Sequence, residues 1–169
     1  MKYPLDRLCI KSKLFCQSCL RKIESGFYDN VDLGVMGSLV DLEDSLKELK
    51  KGEYVKSYKV NDTYIVIVKN NFTKTELENL SREVSSRMNT KFRFIQDHGD
   101  KKKLVEQILQ PYRVLGINTV YLPNGEEQYV IRIQGNGRKS RSRFPLEGYI
   151  KVAESILGKK VKFVFEQSI

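Results

Sequence analysis

At 169 residues, 40% hydrophobic and 30% charged, the chain can build one medium domain or two small ones around a packed core. Its apolar runs fall well short of the ~20 residues that span a bilayer. The opening MKYPLDRLCIKSK is broken by Pro4, Asp6 and Arg7, unlike a secretory leader, so a cytoplasmic protein with no membrane partner is expected. The net charge of +9 is unevenly held: residues 1–100 carry 17 Lys and Arg against 15 Asp and Glu, and residues 101–169 carry 13 against 6. A polyanion, a phosphate backbone first of all, is expected to be felt mainly by the C-terminal part.

Residues 1–31 read as a short irregular segment that holds all three cysteines, Cys9, Cys16 and Cys19. An odd, clustered set is not a disulfide framework. Two thiols two apart clamp one tetrahedral ion, and a second pair normally completes the site. Here that pair is incomplete, with Asp6, His98 or a water open as fourth ligand. An iron–sulfur cluster also takes four thiolates. Zinc on these three cysteines and reduced structural thiols are the two readings.

From Asp32 to Leu49, the spacing of Leu39, Leu42, Leu46 and Leu49 predicts one helix, stopped by Gly52. Tyr54 to Val60 predicts a strand with Tyr54, Tyr58 and Val60 on one face. Asn61-Asp62 is a turn pair, and the β-branched run from Tyr64 to Val68 suits a central strand. A helix is expected over Thr75–Met88, with Leu77, Leu80, Val84 and Met88 inward and a capping box between Thr75 and Glu78. Phe92 to Ile95 closes the set.

The order then repeats. Lys101 to Gln110 reads as a helix followed by Pro111. Strands are expected over Thr119–Leu122 and Gln128–Ile133, joined by the hairpin signal Asn124-Gly125. The polar loop QGNGRKSRSR comes next. Pro145 opens a helix with Leu146, Ile150, Ala153 and Leu157 on one side, ending at Gly158, and Val161 to Phe165 is the last strand. A boundary falls near Gly99.

SYKVNDTYIVIVKNN with FTKTELENLSREVSSRMNTKFRFIQD, and RVLGINTVYLPNGEEQYVIRI with FPLEGYIKVAESILGKKVKFVFE, carry a resemblance. Residues 32–169 resemble the tandem type II KH domains of archaeal NusA-like transcription factors. The resemblance implies an α+β fold: two tandem KH type II-like modules, at 32–98 and 99–169, preceded by a short Cys-containing segment at 1–31. It implies an RNA-binding protein acting near RNA polymerase in transcription elongation or termination. A ribosome-associated protein on rRNA, and an interaction module that has lost RNA binding, are the alternatives.

KH domains hold four nucleotides against a Gly-x-x-Gly loop, because glycine lets backbone amides approach phosphate closely. The first copy has Thr73-Lys74-Thr75-Glu76 there, leaving Thr73 and Lys74 as the candidate RNA contacts. The second has Gly135-Asn136-Gly137 followed by an acid-free basic run, in which Arg138, Lys139, Arg141 and Arg143 are the main candidates. Tyr112, Tyr121, Tyr129 and Tyr149 are candidates for base stacking. With one histidine, no nucleophile elbow and no P-loop, the sequence points away from an enzyme.

Overall fold

The computed structural model describes residues 1–135 and 144–167. They fall into two units, Met1–His98 and Gly99–Ile169. The described residues make six α-helices and two separate three-stranded sheets, an α+β architecture.

The first unit runs α1 (Arg7–Ser12), α2 (Gln17–Glu24), α3 (Asn30–Leu42), a 3₁₀ turn (Lys47–Lys51), β1 (Glu53–Val60), β2 (Thr63–Lys69), α4 (Lys74–Met88) and β3 (Lys91–Gln96). β1 pairs antiparallel with β2 through the turn at Asn61, whose φ is +53°. β2 pairs parallel with β3, a pairing that needs a crossover, which α4 supplies. Ile65, Val66, Ile67 and Val68 are all buried, so the central strand is enclosed on both faces. Val66, Val68, Phe92 and Phe94 share a core with Val35, Met36, Leu39 and Val40 of α3 and with Leu80 and Val84 of α4. The N-terminal segment adds Met1, Leu5, Cys9, Ile10 and Cys19 to that same core, so residues 1–31 belong to the first unit instead of standing before it.

Three local expectations shift. α3 starts at Asn30, under a capping box of Asp29 and Asp32, and ends at Leu42. Leu46 and Leu49 are buried all the same, from a turn and a 3₁₀ turn closed by Ser45 N to Leu42 O and Leu49 N to Leu46 O. A three-and-four spacing fills one side whether or not the winding is continuous. In β1 the register slips between Tyr54 and Lys56, so Tyr54 sits opposite Val68 while Tyr58 and Val60 fall on the other face. The capping box of α4 joins Thr73 and Glu76, two residues earlier than expected.

The second unit runs α5 (Lys101–Leu109), β4 (Val114–Tyr121), β5 (Glu127–Gln134), α6 (Leu146–Leu157) and β6 (Lys160–Glu166). β4 and β5 form the expected hairpin, and β5 pairs parallel with β6. α5 and α6 pack on each other and α6 on β6. Phe144 sits among Tyr112, Tyr149, Phe163 and Phe165, with ring centroids 4.7–5.3 Å away. β4 starts five residues before the expected Thr119, since Gly116 and Asn118, poor strand formers, are carried in the ladder. α6 buries Tyr149, Val152 and Ala153 and leaves Leu146 exposed, a stripe turned from the expected one because Tyr149 joins the Phe144 cluster.

Candidate metal centre and basic sheet face

The three thiols meet because two short helices place them. Cys9 lies on the buried side of α1, whose last carbonyls are closed by Lys13 in the left-handed conformation. Cys16 is the N-cap of α2 and Cys19 sits in its first turn. All three Sγ atoms lie within 4.8 Å of one another. Zinc–sulfur bonds of ~2.3 Å in a tetrahedron put sulfurs about 3.8 Å apart, so the trio closes on an ion by moving less than about 1 Å.

Backbone amides already point at these sulfurs. Asp6 N donates to Cys19 Sγ at 3.3 Å and Cys16 N to Cys9 Sγ at 3.4 Å. The Cys19 amide, then the neighbouring thiols of Cys19 and Cys9, lower the pKa of Cys16, which is exposed. Burial pushes the Cys19 thiol up to about 11. Such N–H···S bonds stabilise thiolate charge, the form a metal requires. Among the described residues the group holds three donors. Asp6 is not one of them: its carboxylate caps α1 by accepting from Leu8 N at 2.8 Å. Nor is His98, whose Nδ1 faces Gln96 Nε2 at 3.3 Å. The three cysteines therefore can bind a metal such as zinc, the fourth position falling to a water or another exogenous ligand.

The Thr73–Glu76 stretch is a closed helix cap. Thr73 Oγ1 accepts from Glu76 N, and Glu76 returns a carboxylate oxygen to Thr73 N at 2.8 Å. Lys51 Nζ lies 2.7 Å from Glu76 Oε1 and donates to Asn71 O at 3.1 Å. That ammonium first, and the Thr73 amide next, hold the Glu76 carboxyl below its ordinary range. Thr73 is thus committed to the helix, while Lys74 is exposed.

Arg138, Lys139, Arg141 and Arg143 lie outside the described residues. Tyr112 and Tyr149 belong to the aromatic cluster, Tyr121 is 72% exposed at the hairpin, and Tyr129 has the Lys102 and Lys159 ammonium groups about its ring at 6.0 and 5.8 Å.

The register groups cations that no local motif marks. Ile131 and Ile133 are buried under the helices' side of the second sheet. The opposite face carries Gly116, Asn118 and Val120 from β4, Gln128, Val130, Arg132 and Gln134 from β5, and Lys160, Lys162 and Val164 from β6. The signal was the alternation Ile-Arg-Ile and Lys-Val-Lys-Phe, which puts every cation on one side of a strand.

No family model matches the chain, and no curated protein does. Among solved structures, the crystal structure of APE1850 is similar, at 16% identity and a TM-score of 0.39 over 63% of this chain and 80% of that one. Among the described residues no helix is long and apolar enough to cross a membrane.

Proposed function

We propose that the chain is a cytoplasmic RNA-binding protein built from two tandem KH type II-like modules, the second of which holds most of the RNA. The observation that carries this reading is the charge: 13 Lys and Arg against 6 Asp and Glu in residues 101–169, with a basic run leaving β5 and further cations on the open face of the same sheet. The repeated strand–strand–helix–strand order with mixed pairing supports the KH reading. The missing Gly-x-x-Gly loops make the contacts mainly side-chain contacts to phosphate, which position RNA without reading its sequence. RNA presented by RNA polymerase or by the ribosome is the expected partner. Fluorescence anisotropy with labelled single-stranded RNA at several salt concentrations tests it. Changing Arg138, Lys139, Arg141 and Arg143 together to Ala should weaken all sequences alike and flatten the slope of log affinity against log salt by up to ~0.7 per lost contact. A wild-type chain without RNA affinity overturns the reading and leaves the interaction module.

The cysteine cluster completes it as a zinc site that ties α1 to α2 within the first unit. Three converged sulfurs with amide donors support zinc, a soft-tolerant ion with no geometric demand beyond a tetrahedron.

A further inference from the structure

Glycine weakens the middle of a strand and marks a place where something else approaches closely. A Cβ built on Gly116 would lie 2.5 Å from Arg132 Nη2. The two residues are cross-strand partners, so the missing side chain makes room for the guanidinium to lie across the β4 backbone. Arg132 Nε donates to Asn118 Oδ1 at 3.0 Å, and Nη1 stands 3.5 Å from Glu166 Oε2. One arginine, its side chain 39% exposed, thus bridges all three strands and is anchored at both ends. Anchoring spares the rotamer entropy that a mobile arginine loses on binding. A guanidinium plane is a stacking surface for an unpaired base.

Along β6 the exposed Lys162 and Lys160 share this face, pairing with Val130 and Gln128, while Arg132 sits opposite Val164. Lys160 and Lys162 are therefore two residues apart along β6, about 6.6 Å, a stride comparable to that of successive phosphates in an extended strand, and the Arg132 guanidinium lies to one side of that row, over β4. Glu166 opposes phosphate at the Arg132 end, which sorts the roles along the face: base over Arg132, phosphates over the lysines.

We propose that this face of the second sheet is a docking site for single-stranded RNA, with Arg132, held flat over Gly116, stacking on a base and Lys160 and Lys162 taking the adjoining phosphates. The proposal rests on the RNA-binding reading and adds to it the place, this sheet face, where a base must be unpaired to offer Arg132 a free plane. The test is anisotropy with single-stranded and duplex RNA of equal length on the full chain. Gly116→Ala keeps every charge and displaces the guanidinium; Arg132→Lys keeps the charge and removes the plane without crowding β4. Each should weaken single-strand binding roughly tenfold, as loss of a stacking contact does, with the salt slope unchanged. Lys160→Gln with Lys162→Gln should instead flatten the slope by up to ~1.4, two phosphate contacts' worth. If wild type binds RNA but Arg132→Lys and a folded Gly116→Ala bind as tightly, or if duplex is held as well as single strand, this site falls and the RNA reading stands. If wild type binds neither RNA at any salt, the reading falls and takes the site with it.

Discussion

The two units repeat one element order and differ in how many acids offset their cations. In the first, 17 Lys and Arg in residues 1–100 meet 15 Asp and Glu, and some pairs are built into the fold: Arg7 with Glu43, Lys51 with Glu76, Arg87 with Glu83, and a buried Lys56 with a buried Asp32. In the second, Arg132 and Lys159 have carboxylate partners, while Lys160 and Lys162 are exposed and have no ion pair among the described residues. The first sheet encloses its central strand and buries one ion pair, Lys56 with Asp32. Leaving one sheet face uncovered by its own helices lets the second present charge outward. The comparison teaches that a shared element order does not set the charge a unit presents; its own acids and bases do.

Breaking the first unit's internal charges should cost stability and spare RNA binding. The largest effect is expected at Asp32, which accepts from Tyr54 Oη at 2.6 Å and from Ser57 N at 2.8 Å and is paired with Lys56. Asp32→Ala strands a buried ammonium and should cost ~3–5 kcal/mol, read from urea unfolding. Loss of the proposed zinc should come next. Protein purified without chelator should carry close to one equivalent of zinc by elemental analysis, and Cys16→Ser or Cys19→Ser should lose it and lower the melting temperature of the first unit.

Smaller effects sharpen the contrast. Burial alone would raise the Glu43 carboxyl, but hydrogen bonds from the Met1 ammonium and the Tyr3 hydroxyl, with the Arg7 charge, hold it below its ordinary range. A depressed folded pKa stabilises above the unfolded value, about 4.3, and that stability disappears as pH falls through the folded one. Wild type should therefore lose more stability than Glu43→Gln between neutral and acid pH in urea unfolding. Least of all, Thr73→Ala should cost about 1 kcal/mol by breaking the α4 cap, with RNA affinity unchanged by anisotropy.

Much of this fold was legible in the chain. The β-branched run of β2 and the Asn124-Gly125 hairpin announced both sheets, because pairing and turn chemistry are local. The end of α3 was not, since leucine spacing looks the same through a turn. Nor was the start of β4, where Gly116 reads as a breaker until Arg132 is seen above it. The cysteines could be picked out as a trio, but their convergence depends on Cys16 capping α2. Arg132 carries no local signal of its role, because its contacts come from the neighbouring strands and not from its own sequence context.

On the proposed reading, RNA is held mainly by the second unit. It is tested most directly by comparing salt slopes of single-stranded RNA affinity for wild type, Lys74→Ala, and the Lys160→Gln, Lys162→Gln double variant of the full chain. The slope should be unchanged by Lys74→Ala and flattened by the double variant by up to ~1.4. A slope that falls with Lys74→Ala and holds with the double variant would contradict that reading.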